Sequence, residues 1–211
     1  MKAILARIAR QLKDGILDQN PVAVQALCLC PAVAVSARLV DSLTLGLCTL
    51  AVLVLSSVTV SALKGLLPAP IRLPGTMVLI ATFVSMAGMA LAVLRPEQAA
   101  SIGIYLPLIA VGGLPLLEAE ASAAQKAVPR ALLDAVSLGL GLVLIMALTG
   151  ALREILGSGT VLGTPVFEGW LKALPFFTQP AGGFIALGLV AALIQGIRNA
   201  ASRTKGEDEP S

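Results

Sequence analysis

Two cysteines and a proline lie close together inside one apolar stretch of this chain. The stretch "QNPVAVQALCLCPAVAVSARLV" covers residues 19–40 and contains Cys28, Cys30 and Pro31. Cysteine thiolates are the usual ligands of iron–sulfur clusters. A cluster commonly takes four thiolates, and this stretch offers at most two. The sequence therefore indicates that a cluster held here would also need ligands from a partner chain.

The rest of the composition narrows the chemistry further. The third cysteine, Cys48, lies in another apolar run, and an odd number of cysteines at such positions argues against a disulfide framework. We expect Cys48 to pack in the core, and Cys28 could do the same, because a free cysteine behaves as a small hydrophobic residue. The chain has no histidine, which excludes a Ser-His-Asp triad, histidine-ligated haem and histidine-containing zinc sites.

The elements that position these cysteines follow from hydropathy. The chain has 211 residues, of which 57% are hydrophobic and 13% are charged. Six uncharged runs reach or approach the roughly 20 residues that a helix needs to cross a bilayer. They cover residues 19–37, 42–63, 73–94, 98–117, 135–152 and 173–197. The runs do not alternate as barrel strands do, so the sequence predicts an all-α membrane protein with six transmembrane helices.

Basic residues predict the orientation. Residues 1–18 combine basic and apolar residues at helical spacing, which is typical of an amphipathic helix on the membrane surface. With the N-terminus inside, only Arg38, Arg95, Arg153 and Lys172 lie outside, which leaves eleven of the 15 basic residues inside. The positive-inside rule therefore predicts that both termini are cytoplasmic. No basic patch interleaved with aromatic residues indicates nucleic-acid binding.

The six spans divide into two halves, residues 19–94 and 95–197, followed by a polar tail at 198–211. Three spans per half require the second half to cross the membrane in the inverted direction. The first span of each half is interrupted, by Pro21 and "CLCP" in one and by Pro107, Gly112, Gly113 and Pro115 in the other. Matched breaks of this kind point to a site at the membrane midplane, although ordinary proline kinks are the alternative.

Three further patterns yield predictions. The glycines within residues 137–150 could form a close helix-packing face. Arg153 and Glu154 are predicted to be a local pair at the outer interface, with the arginine reaching toward water. Glu118 and Glu120, at the inner end of the fourth span, are predicted to cap that helix or to face the inner loop.

Five stretches carry a resemblance to a known family, and the resemblance extends over nearly the whole chain. They are "QNPVAVQALCLCPAVAVS" (19–36), "IRLPGTMVLIATFV" (71–84), "YLPLIAVGGLPLLEAEASA" (105–123), "LREILGSGTVLG" (152–163) and "PAGGFIALGLVAALI" (180–194). In these stretches the chain resembles the family that contains the E subunit of the Rnf ion-translocating electron-transport complex. The same family includes the D subunit of the sodium-translocating NADH:quinone reductase.

The resemblance implies six helices in inverted halves and a close pairing with a homologous subunit in the bacterial inner membrane. It implies a complex that exchanges electrons between ferredoxin and NAD while moving ions. It also implies a [2Fe–2S] cluster between the paired subunits, with two cysteines from each. By position, Cys30 matches the first of these cysteines, whereas Gly113 occupies the place of the second.

The missing cysteine leaves three accounts open. Cys28 could replace the lost thiolate, or the cluster could use a non-cysteine ligand or an additional ligand from the partner. Alternatively, the subunit has lost the cluster and serves as a scaffold. A different class of function, a small secondary transporter that binds its substrate at the broken helices, is also compatible with the pattern.

Overall fold

A computed structural model describes residues 28–65, 68–123, 125–161, 164–165 and 175–206. In these ranges the protein is helical apart from two paired two-residue strands, β1 (Thr160–Val161) and β2 (Thr164–Pro165). The helices are α1 (Leu29–Val35), α2 (Leu39–Leu63), α3 (Ala69–Leu94), α4 (Pro96–Ile102), α5 (Pro107–Val111), α6 (Leu114–Glu118), α7 (Val128–Ser158) and α8 (Pro180–Gly206). Short 3₁₀ turns span Gly103–Tyr105 and Pro175–Thr178, and a π-helical turn spans Ala119–Ala123.

Four segments of the described chain are long and apolar enough to cross a membrane. They are Leu39–Leu63, Ile71–Leu94, Pro96–Ala121 and Val128–Ser158, and a shorter apolar helix covers Pro180–Gly196. Each of these five segments lies over one of the predicted spans. The predicted surface helix at 1–18 and the first part of the predicted span at 19–37 lie outside the described residues. The all-helical membrane architecture is therefore confirmed, whereas the count of six spans stays a prediction.

The centre of the fold is the packing of α2 against α7. Small residues let these helices approach closely: a Cβ atom on Gly150 would lie 2.6 Å from Ser42 Oγ, and one on Gly139 would lie 3.0 Å from Leu50 Cγ. The predicted glycine packing face in 137–150 is thus confirmed. Because residue 42 faces residue 150 and residue 50 faces residue 139, α2 and α7 run antiparallel.

The other helix contacts are similar for the two halves. α1 packs on α8, and α6, which follows the break in the second half, packs on α3. α3 packs on α2 just as α8 packs on α7. If α1, α2 and α3 are taken to correspond to α6, α7 and α8, each of these contacts has a counterpart: α1–α8 corresponds to α6–α3, and α2–α3 corresponds to α7–α8. This pattern and the antiparallel α2–α7 pair are what two inverted repeats would produce.

Two helices extend beyond the predicted spans. α7 continues six residues beyond residue 152, because Arg153 and Glu154 are buried within the helix and do not mark its exit from the membrane. α8 continues through Gly206 and so extends into the predicted polar tail at 198–211. The buried, hydrogen-bonded charges of Arg153 and Glu154 do not end α7, so the spacing of charges underestimates its length.

The positive-inside bias predicts the side on which each loop is exposed. Single cysteines introduced near Met1, near Thr160 or near Ser211, in a chain whose native cysteines are replaced by alanine, can be labelled in intact cells with a membrane-impermeant maleimide. In intact cells we expect only the cysteine near Thr160 to be labelled. The two cysteines near the termini should be labelled after the membrane is permeabilised, and their labelling in intact cells would contradict the orientation.

Candidate functional site at two helix breaks

The first of the two predicted breaks includes Cys28, where the described chain begins. The backbone of Cys28 has φ 58° and ψ 25°, the left-handed conformation, and α1 begins at the next residue. Among the described non-glycine residues, Cys28 is the only one with a positive φ. This conformation costs an L-residue roughly 1–2 kcal/mol, so the surrounding packing must hold it in place.

The second break lies at Gly112 and Gly113. Gly113 has φ 76°, again left-handed, and α6 begins at the next residue. The fourth span is therefore broken, as its proline and glycine residues predict. Glycine suits this position because it has no Cβ to clash in the left-handed region.

The two breaks are in contact. The Cys28 thiol is buried and donates a hydrogen bond to the Gly112 carbonyl oxygen at an Sγ–O distance of 3.6 Å. A Cβ atom on Gly112 would lie 3.1 Å from Cys28 Sγ and 2.9 Å from the Leu108 oxygen, so only glycine fits without movement of its neighbours. The side chain of Cys28 therefore fills the space at the break in the other half.

Cys30 lies in a different environment. It is the second residue of α1, and its side chain is exposed. Cys28 precedes the helix and is buried within the subunit, whereas Cys30 lies on the surface.

This geometry decides how a metal cluster could be held. The described residues contain no group of three or more histidine, cysteine or acidic side chains able to bind a metal together. The exposed thiol of Cys30 fits a site shared with another subunit, and the buried thiol of Cys28 does not. Gly113, in the place of the second family cysteine, offers no ligand, so of the described residues at this contact only Cys30 exposes a thiol.

A buried arginine binds the end of α1, the helix that carries Cys30. The side chain of Arg153 in α7 is 2% exposed. Its five N–H groups donate to five acceptors at 2.7–3.2 Å: Val33 O, Ser36 Oγ, Phe177 O, Thr178 O and Gln179 O. The prediction that Arg153 reaches toward water is wrong, because the end of α1 and the turn before α8 supply acceptors for every donor.

Two adjacent glycines allow close packing around this arginine: Gly183 borders the guanidinium, and Gly182 borders the turn that supplies its acceptors. A Cβ atom on Gly183 would lie 3.1 Å from both Arg153 Cζ and Nη1, and 3.0 Å from Val33 Cγ1. A Cβ atom on Gly182 would collide with the backbone of Phe176 and Phe177. The stretches "LREILGSGT" and "PAGGF" therefore meet at Arg153. The sequence carried no direct signal for this role, because Arg153 follows the uncharged run 135–152 and so resembles a residue at the membrane interface.

The residue next to Arg153 orders the following helix. Glu154 Oε2 accepts a hydrogen bond from the backbone N–H of Leu39, the first residue of α2, at 2.9 Å. Carboxylates are favourable at a helix N-terminus, where the N–H groups lack partners within the helix. Arg153 and Glu154 thus fix both ends of the turn between α1 and α2.

The acidic residues at the other end of the fourth span differ from each other. Glu120 forms an ion pair with Arg72 of α3 at 2.8 Å, between partly exposed side chains. Glu118 is buried at the end of α6. The ion pair connects the π-helical turn to α3. That the two carboxylates cap the helix or face the inner loop stays a prediction.

Replacing Arg153 by lysine should loosen α1. Lysine keeps the charge but offers three donors in place of five, and each lost charge-assisted hydrogen bond costs about 1.5–3 kcal/mol. We expect a lower thermal unfolding midpoint and a changed reaction rate of Cys30 with maleimide. The control is Arg130→Lys, an exposed arginine on the same helix. An unchanged midpoint and an unchanged Cys30 reaction rate would show that Arg153 does not fix α1.

Comparisons with known proteins agree with this architecture. Residues 8–191 match the Rnf-Nqr family, described as membrane-protein subunits. The chain is 37% identical over 185 residues to the E subunit of the Na(+)-translocating ferredoxin:NAD(+) oxidoreductase complex of Acetobacterium woodii, covering 88% of this chain and 94% of that protein. It is 32% identical over 183 residues to the proton-translocating counterpart of Clostridium ljungdahlii, covering 87% and 86%.

A third relative matches over an even larger share of the chain. The E subunit of the ion-translocating oxidoreductase complex of Salmonella paratyphi B is 37% identical over 218 aligned positions, covering 95% of each protein. The resemblance drawn from the five sequence stretches is therefore confirmed. Since the match spans both halves and both helix breaks, this multi-pass membrane protein belongs to the Rnf-Nqr family of subunits.

Proposed function

We propose that this chain is the E subunit of a complex that exchanges electrons between ferredoxin and NAD and moves ions across the bacterial inner membrane. Relatives bearing that name match nearly the full length of the chain. One of these relatives is named as sodium-translocating and the other as proton-translocating, and both have similar identity to this chain. We therefore name no ion. As an integral subunit, the chain contributes to the complex and does not catalyse the reaction alone.

Within this complex, we propose that Cys30 is a ligand of a [2Fe–2S] cluster shared with a homologous, inverted membrane subunit. The observation that carries this proposal is the exposure of the Cys30 thiol at the start of α1, next to the contact between Cys28 and Gly112. When bound, such a cluster would accept and pass on single electrons within the membrane. The residues of this chain would bind it, and would exclude water from the breaks through Cys28 and Gly112.

The proposed inverted arrangement of the halves is supported by the antiparallel α2–α7 pair and by the matching contacts of α1 with α8 and α6 with α3. A partner built on the same plan could present its own half-helix to the surface around Cys30. Because Gly113 supplies no thiolate, the remaining ligands would come from that partner or from a non-cysteine group. A subunit that has lost the cluster and serves as a scaffold is the alternative that the experiments below separate.

Replacing Cys30 by serine tests the ligand directly. Serine is close in size, but its hydroxyl is a far weaker acid and a harder ligand than a thiol, so it binds iron poorly. We expect the purified complex to lose iron and its rate of ferredoxin-linked NAD reduction to fall by about ten-fold or more, the loss typical when a metal site is perturbed. Cys48→Ser is the matched control, because Cys48 lies within α2 and packs against the core.

Two results would contradict the ligand role of Cys30. If Cys30→Ser and Cys48→Ser retain equal iron and equal activity, Cys30 is not a ligand and the scaffold account stands. If the chain is stable alone and takes up a solute into liposomes, the redox function itself is contradicted and a transporter is favoured.

Replacing Cys28 by serine separates the accounts of the missing thiolate. The Cys28 thiol is buried and donates to Gly112 O, and a serine hydroxyl can donate to the same oxygen. We therefore expect Cys28→Ser to retain the iron content and electron-transfer rate of the wild-type complex. A loss of iron equal to that of Cys30→Ser would show that Cys28 turns outward in the assembled complex and replaces the lost ligand.

A further inference from the structure

An open groove lies between α2, α3 and α4, on a side of the protein that the site above does not use. Its volume is about 690 Å³, and most of its lining is apolar. Cys48 and Ala51 of α2 and Ala87 and Ala90 of α3 line its deeper part. The small alanine side chains leave room between the two helices that larger residues would fill.

The groove has one polar end. Arg95, between α3 and α4, and Gln98 of α4 line this end together with Thr44, whose hydroxyl donates to Gln98 Oε1 at 3.2 Å. Arg95 is exposed, and the described residues supply no hydrogen bond or ion pair to its guanidinium. The polar end coincides with the ends of two spans, where Leu39 begins α2 and Leu94 ends α3. The positive charge of Arg95 therefore lies at the membrane boundary, at one end of the apolar groove.

The length of the groove matches one leaflet. Val40 and Ala51 mark its extent along α2, and eleven residues rise about 16 Å along a helix axis. This is close to half of the roughly 30 Å hydrocarbon core of a bilayer. An acyl chain that enters from the boundary would fill the groove and end near the midplane.

We propose that this groove binds an anionic phospholipid, with one acyl chain between α2 and α3 and the phosphate against the guanidinium of Arg95. Arginine presents several donors to phosphate oxygens in a favourable planar arrangement. A transmembrane helix from another subunit fits the groove less well, since it would contact α2 and α3 over the whole span. The lipid would also cover Cys48 and keep water from the outer half of the α2–α3 interface.

The test uses the purified, lipid-depleted complex and native mass spectrometry, with phosphatidylglycerol and diacylglycerol as probes. Both probes carry acyl chains, but only phosphatidylglycerol has a phosphate. We expect Arg95→Gln to weaken phosphatidylglycerol binding by about ten-fold, the factor of one charge-assisted hydrogen bond, and to leave diacylglycerol binding unchanged. Ala90→Phe should fill the groove and weaken binding of both.

The matched controls are Arg130→Gln and Ala81→Phe, which change exposed residues outside the groove. Both should bind the two probes as the wild-type complex does. Equal phosphatidylglycerol binding by wild type and Arg95→Gln would overturn the phosphate contact, and no effect of Ala90→Phe would overturn the acyl site. A wild-type complex that binds neither probe would favour a helix of a neighbouring subunit as the occupant of the groove.

Discussion

The arrangement of the site depends on the hydrogen bonds that the guanidinium of Arg153 donates. Burial of a charge is costly unless every polar group finds a partner, and here all five donors do. The acceptors belong to the end of α1 and to the turn before α8, while the arginine belongs to α7. α1 has only seven residues, too few to be a stable helix alone, so tertiary contacts of this kind must hold it.

The position of α1 in turn decides the separate environments of its two cysteines. Irregular backbone at membrane depth is tolerated only where protein or a cavity covers it. Cys28 provides such cover, since its thiol meets the Gly112 carbonyl at the opposite break. Cys30, two residues later, is left on the surface. One cysteine therefore completes the interior of the subunit, and the other is available to a partner.

Parts of this arrangement could be predicted from the sequence, where the signal is local. The spacing of charges predicted α2, α3 and α7, and adjacent glycines predicted the break before α6. The role of Arg153 could not be predicted in this way, because Val33 and Ser36 lie more than a hundred residues away along the chain. Burial of Cys28 and exposure of Cys30 depend on how tertiary packing places the start of α1 and the residue before it. The absence of a thiol at Gly113 became apparent only through resemblance to the family.

A pair of homologous membrane subunits is the smallest unit able to hold the proposed cluster. The most direct test is to purify this pair without the soluble subunits, measure its iron and record the electron paramagnetic resonance spectrum after reduction. We expect about two iron atoms per pair and the signal of a reduced [2Fe–2S] cluster. A correctly assembled pair that contains no iron and gives no signal would contradict the central claim.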